Sequence, residues 1–334
     1  MSRVVPEPIT MGTRTKASEH ERVTWTSGCT KVGWGSIRMI VPDVELDCGN
    51  GVIVRYTDIG PRRAEPVFLF HGWIANIVEA WLLNGLLGEL LNAGYRVIAW
   101  EARGCGRSSK PYDPAMYGKS VIDDWVRILD AVGVQKIHNI GYSMGAELAI
   151  CAAAKHPDRV LSVCVGGSGW AGGDFGIEHR VHMERVGDLC LWQDGATFGA
   201  PCSKIPNPIG IARLCWYPCC VSWLIANVMC EDGIPRDLRA GSILFKQHSL
   251  QNVQGVSEGE LRALEVPFSG LMGELDPERK YLERLLDIVP GFQMTIIPGA
   301  DHMQAGDSVE YRHFVLGHLR AAIGGGPGEQ SAVE

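Results

Sequence analysis

The chain of 334 residues lacks an obvious leader: residues 1–35 are polar and mixed in charge, with no apolar core of the kind a secretory signal needs. A reducing, cytoplasmic setting is therefore expected. The 11 cysteines agree, being odd in number and without a repeated spacing. Cys151 and Cys164 sit inside apolar runs, where a free thiol behaves as a small hydrophobe. Also missing is any large cluster of Lys and Arg. With a net charge of −7, the chain has no electrostatic footprint for nucleic acid, which is excluded as a partner. Paired C-x-x-C motifs are absent, and Cys215, Cys219 and Cys220 come with no histidine ligand set, which speaks against a structural metal. The longest uncharged apolar stretch, Leu214–Cys230, is shorter than the ~20 residues of a membrane span and is interrupted by Pro218. It reads as a buried or half-buried helix, with contact to a membrane or lipid surface as the sharper alternative. What is present is ordinary for a globular chain, 46% hydrophobic and 21% charged. That length fits one large domain or one domain with an insertion.

Runs of β-branched and apolar residues alternate with helical patterns along most of the sequence. Ile37–Leu46 and Val52–Asp58 read as strands joined by the turn Cys48-Gly49-Asn50-Gly51. Val67–Phe70 is a fully apolar strand ending at His71-Gly72-Trp73, and Ile77–Ala93 reads as a helix. Tyr95–Glu101 is the next strand, and Tyr117–Val132 has a 3.6-residue apolar period. Strands over Lys136–Ile140, Val160–Val165, Pro267–Met272 and Phe292–Pro298 follow, and the helix Val309–Ile323 closes the series. Strands separated by helices imply a mainly parallel sheet covered on both faces, with a hairpin at one edge.

The alternation stops between Gly167 and about Val266. A structureless loop of that length is not expected in a compact domain, so residues 168–265 read as an inserted helical cap. The core then comprises 36–167 and 266–323. The termini 1–35 and 324–334, the latter rich in glycine, read as flexible extensions.

Gly141-Tyr142-Ser143-Met144-Gly145 stands between a strand pattern and a run of helix formers, Ala146–Lys155. A serine on such a turn is held in a strained backbone conformation that pushes its hydroxyl out of the sheet. A serine hydroxyl needs a base, and His302, directly after the final strand, is the best placed of the ten histidines. The base needs a carboxylate to hold its tautomer, and Asp276 follows the preceding strand. Glu274 and Asp301 are alternatives that fit the strand-end and loop positions less well. His71, Glu101, Ser143 and Asp276 all lie at or just past strand ends, where α/β sheets form their sites.

The order Ser143, Asp276, His302, with Phe70–Trp73, Trp100–Ser108, Gly273–Asp276 and Gly299–His302, resembles the α/β-hydrolase superfamily over about residues 37–323. The resemblance implies the α/β-hydrolase fold, a mainly parallel central sheet flanked by helices with an inserted helical cap. It also implies an oxyanion hole from the backbone N–H groups of Trp73 and Met144. Trp73 would line the acyl pocket or pack there, with Tyr142 and His71 beside it, His71 more as a brace than as a base. Glu101 stands where the family usually has Asp, a brace near Arg103. Family members that open epoxides or remove halide use aspartate at the elbow, so Ser143 implies acyl chemistry.

The resulting expectation is a serine hydrolase that cleaves a carboxylic ester or related acyl bond of a small, apolar molecule through an acyl-serine. No metal, nucleotide or flavin is required by that scheme. Two rivals remain at this level: a hydrolase of C–C bonds in β-diketone-type ring-cleavage products, and a ligand-binding receptor on a hydrolase core. Cofactor-free perhydrolysis is a side activity the same site could support.

Overall fold

The computed structural model describes residues 22–26, 29–34, 37–194, 237–253 and 255–324. The first strands, β1 (Arg22–Thr26), β2 (Cys29–Trp34) and β3 (Ile37–Pro42), form a small antiparallel sheet in the order β1-β2-β3. Residues 22–34 were expected within a flexible extension, so this is a correction. Val23, Thr24, Thr26, Thr30 and Val32, with Trp25 and Trp34, favour extended pairing, and Ser27-Gly28 and Gly35-Ser36 separate the runs. The single strand expected over Ile37–Leu46 is likewise two strands in different sheets. Pro42, which has no N–H for a ladder, ends β3, and after Asp43 the chain enters the main sheet as β4 (Val44–Asp47).

The main sheet adds β5 (Ile53–Ile59), β6 (Pro66–Phe70), β7 (Arg96–Glu101), β8 (Ile137–Tyr142), β9 (Val160–Gly166), β10 (Phe268–Gly273) and β11 (Gln293–Ile297). Its order is β11-β10-β9-β8-β6-β7-β5-β4, with β4 and β5 antiparallel at one edge and the other six strands parallel. The strand period of two explains why both faces are apolar. Val67, Leu69, Val97 and Ala99 face α1 (Leu86–Asn92) and the C-terminal helix Val309–Ile323. Phe68, Phe70, Ile98 and Trp100 face α2 (Lys119–Val132) and α3 (Met144–Lys155). Phe68 and Phe70 meet the Trp100 indole edge-on at 5.5 and 5.6 Å between centroids, which fixes the centre of that layer.

The helix expected across Ile77–Ala93 is broken in two. A π-helical turn spans Val78–Leu82, and α1 starts only after Gly85, which holds φ 88°. That left-handed conformation suits glycine and stops a continuous helix. Between β9 and β10 the described residues form α4 (Gly176–Asp194), α5 (Leu238–Gln247), a π-helical turn His248–Val253 and a short helix Glu258–Arg262. Helices α4 and α5 pack together, with Lys246 reaching Asp188 at 2.6 Å. The apolar stretch Leu214–Cys230, with Cys215, Cys219 and Cys220, lies outside the described residues, as do residues 1–21 and 325–334. Cys48, Cys151 and Cys164 are buried free thiols. Among the described residues no helix is long and apolar enough to cross a membrane.

The order of the sheet places the site. The chain passes from β6 outward to β7, then returns across β6 to β8, so β6 and β8 are neighbours whose connections run to opposite sides. A crevice opens at the carboxyl ends of such a pair. Trp73 leaves β6 and Ser143 leaves β8 at that point.

Candidate active site

Ser143 links β8 to α3 with φ 57° and ψ −128°, a conformation that L-residues rarely adopt. The flanking glycines make it possible. A Cβ on Gly141 would strike the Gly145 carbonyl, and one on Gly145 would strike the carbonyl of Phe70. The turn is held by Ser143 N–H donating to Gly166 O at 2.8 Å. The hydroxyl is thereby raised above the sheet edge, 3.0 Å from His302 Nε2. His302 Nδ1 lies 2.8 Å from Asp276 Oδ2, and Asp276 Oδ1 accepts the Glu278 backbone N–H at 2.9 Å. A carboxylate can only accept, so Nδ1 donates and Nε2 turns its lone pair to Ser143. Asp276 and His302 are buried.

The two alternative acids have other work. Asp301 caps the helix His302–Asp307, accepting from Met303 N–H at 3.0 Å and Gln304 N–H at 2.8 Å. Glu274 accepts from Gly299 N–H at 2.7 Å, bracing the loop that delivers His302.

Met144 is the first residue of α3, so its N–H has no acceptor within the helix, and the positive end of the helix dipole lies beside Ser143. The loop after β6 abuts the same atom, since a Cβ on Gly72 would lie 3.5 Å from Ser143 Cβ. Ile74, at φ 48°, bends that loop sharply. The Trp73 side chain turns toward α5, its Nε1–H donating to Gly241 O at 2.9 Å and its ring stacking on Phe245 at 4.5 Å. A free pocket wall is thus replaced by an anchor between the β6 loop and α5.

His71 and Tyr142, expected beside the pocket, are braces. His71 is fully buried, its Nε2 accepting from Ala102 N–H at 3.0 Å, which leaves Nδ1 to donate to Gly72 O at 2.6 Å. Tyr142 donates its hydroxyl to the His302 carbonyl at 2.5 Å and lies 5.1 Å from the Tyr311 ring. Cβ atoms on Gly166, Gly167 or Gly306 would all meet this ring within 2.6–2.8 Å, so three glycines make room for it. Burial and then the Asp276 charge push its phenol well above the usual range. Glu101 also differs from expectation. It accepts the Arg107 backbone N–H at 2.6 Å and meets the Arg107 guanidinium at 3.0 Å, while Arg103 pairs with Asp124 through two contacts of 2.6 Å.

A second polar cluster, absent from the sequence reading, lies behind Asp276 and His302. Glu147 on α3 accepts from Ser168 Oγ at 2.8 Å and meets His248 Nε2 at 2.6 Å and His179 Nε2 at 3.2 Å. All four side chains are buried, as is nearby Glu278. Burial would raise the Glu147 carboxyl, but His179 and His248 outweigh it and hold it well below the usual carboxylate range. Burial and the Glu147 charge push Glu278 up to about 7, against the pull of His302, His179 and Ser168. The one signal in the sequence was an acidic residue inside the apolar helical run Ala146–Ala154. Nothing near His179 or His248 in sequence points to it.

A family model for the alpha/beta hydrolase fold matches residues 65–171. The chain is similar to epoxide hydrolase B of Mycobacterium tuberculosis, 34% identical over 161 residues, 44% of either chain. It is similar to a haloalkane dehalogenase of Psychrobacter cryohalolentis, 33% identical over 128 residues, 37% of this chain and 40% of that one. It is also similar to a bifunctional esterase/perhydrolase of Acinetobacter calcoaceticus, 32% identical over 116 residues, 35% of this chain and 41% of that one. The chain spans less than half the length of these curated relatives. Among solved structures, a carboxylesterase study of Nitrososphaera gargenis gives a TM-score of 0.62 at 19% identity, over 85% of this chain and 99% of that one. The enol-lactonase of Burkholderia xenovorans gives 0.57 at 17% identity, over 84% and 100%. With its eight-stranded sheet and these likenesses, the chain has the α/β-hydrolase fold.

Proposed function

We propose that this chain is a serine hydrolase acting on a carboxylic ester, or a related acyl bond, of a small apolar substrate. The observation that carries the reading is the relay of 3.0 Å from Ser143 Oγ to His302 Nε2 and 2.8 Å from Nδ1 to Asp276. Ser143 Oγ attacks the acyl carbonyl as its proton passes to His302 Nε2. The oxyanion forms beside the start of α3, where Met144 N–H and Trp73 N–H stabilise it. The alkoxide leaves with the proton from His302, and water, deprotonated by the same imidazole, hydrolyses the acyl-serine.

The nucleophile supports esters over epoxides and haloalkanes, despite the names of two relatives. Those substrates would be opened through an ester to a carboxylate nucleophile, whereas Ser143 presents a hydroxyl. The esterase/perhydrolase relative and the carboxylesterase-like structure favour the same direction.

The test is a panel of nitrophenyl esters of graded acyl length beside a vinylogous diketone, an epoxide and a haloalkane, with fluorophosphonate labelling in parallel. Wild-type protein is expected to hydrolyse short esters and to be labelled at Ser143, and Ser143→Ala to lose both with its fold intact. Absence of labelling at Ser143 in the wild type would sink the reading. Faster diketone than ester cleavage would replace the ester with a C–C bond.

A further inference from the structure

We propose that His248 and His179, carried by the segment between β9 and β10, hold Glu147 as positioning residues that set the nucleophile turn. The site in front of Ser143 is then assembled only when that segment is docked. This rests on the serine-hydrolase reading.

Glu147 is one helical turn beyond Ser143 on α3, and its backbone N–H points back to Ser143 O at 3.4 Å. Displacing the Glu147 carboxylate therefore tilts the same turn that presents Ser143 Oγ and Met144 N–H. The partners around it come from separate parts of the chain. Ser168 follows β9, His179 lies on α4, and His248 begins the π-helical turn after α5. The polarity of the His248 contact is set by its neighbour. Asn252 Nδ2 donates to His248 Nδ1 at 3.2 Å, so the proton sits on Nε2 and is donated to Glu147 Oε2. His179 is braced by Ser249 Oγ at its Nδ1, 3.0 Å away.

The energetic reason for coupling is burial. A carboxylate with almost no exposure is tolerated only when paired, so moving the two histidines away leaves an uncompensated charge. A purely apolar interface would slide more freely. The charge selects one docked position, the one in which Trp73 also reaches Gly241 on α5. Glu278, two residues beyond Asp276, joins the cluster and ties it to the Asp276 carboxylate through its backbone N–H.

A divalent cation is the other chemistry such a group admits, since donor atoms of Glu147, His179 and Glu278 lie within 4.8 Å of one another. The hydrogen bonds argue for the simpler account. Both Glu147 oxygens already accept hydrogen bonds, from Ser168 and His248, and the His179 ring is braced by Ser249.

The test measures kcat and KM on a short nitrophenyl ester for Glu147→Gln, His248→Gln, their double variant and the milder Asn252→Ser. Fluorophosphonate labelling, thermal melting and the metal content of the purified wild type are measured beside them. Each of the first two is expected to lower kcat about tenfold with KM within about threefold. The double variant should be no worse than the poorer single, as for residues acting through one contact. Asn252→Ser, which removes only the donor that sets the His248 tautomer, should lower kcat about threefold with melting little changed. Multiplying effects in the double variant, unchanged kcat in Asn252→Ser, or a stoichiometric metal whose removal abolishes activity would each overturn the proposal. A wild type that is neither labelled nor active overturns the hydrolase reading and this proposal together. A labelled wild type matched by all the variants overturns this one alone.

Discussion

Replacing Asp276 with asparagine separates the geometry of the relay from its charge. The Asp276 carboxylate serves two donors, Glu278 N–H at 2.9 Å and His302 Nδ1–H at 2.8 Å. An amide can offer only one oxygen. With its oxygen toward His302, the NH2 group confronts the buried Glu278 N–H, donor against donor, at a cost of about 1–3 kcal/mol. With its oxygen toward Glu278, the NH2 group faces Nδ1, which accepts if the imidazole carries its proton on Nε2. The second placement satisfies both groups and should dominate by about 5- to 150-fold. In that tautomer Nε2 donates to Ser143 Oγ and cannot take its proton. Loss of the negative charge beside the forming imidazolium adds to this, for a total of about 1,000- to 10,000-fold in kcat, or about 4–5 kcal/mol. Steady-state ester hydrolysis and the rate of fluorophosphonate labelling read this directly, with thermal melting as a check on the fold. A fall of less than tenfold would refute the reasoning, because it would mean that His302 is not held by Asp276 during turnover.

Gly145→Ala is expected to destabilise by about 1–3 kcal/mol, since its Cβ has nowhere to go but the Phe70 carbonyl, and to cut ester turnover by separating β6 from the start of α3. Gly317→Ala, with open space around it in the C-terminal helix, should instead hold or gain stability in the same denaturation assay. An acid limb of stability should arise from His318, whose pKa burial lowers from 6.5 to about 4, His138 adding to the effect. The unfolded chain then binds the proton more readily between those values, so stability falls as pH drops from 6.5 toward 4, by at most about 3 kcal/mol from this group. Urea titrations across that range should show a shallower fall for His318→Gln, and identical slopes would refute the assignment.

The relay was legible because each member sits on a local signal. Ser143 stands between two glycines at a strand-to-helix change, and Asp276 and His302 follow the next apolar runs in turn. Such signals depend on residues within a few positions of one another, which is what a linear pattern records. The strands at 22–34 were overlooked because polar threonines alternate with only a few apolar residues, so composition there suggested an extension. The break at Gly85 hid inside an apolar helical period, where a single left-handed residue decides the outcome. The directions of two side chains beside the site were not legible. Tyr142 and Trp73 border the site in sequence, but Tyr142 turns beneath His302 and Trp73 turns out to α5, directions set by glycines and partners far along the chain.

By itself the sequence determined the class of fold and singled out Ser143, His302 and Asp276 as candidates for nucleophile, base and acid, because backbone propensity and turn chemistry act locally. Only the tertiary structure decided that Glu147, His179, His248 and Glu278 share one buried cluster behind the relay. Their pairing depends on how the segment between β9 and β10 lies on α3. That docking is a matter of burial and charge compensation over about a hundred residues of separation, as for Glu147 and His248, which are 101 apart, and no short pattern encodes it.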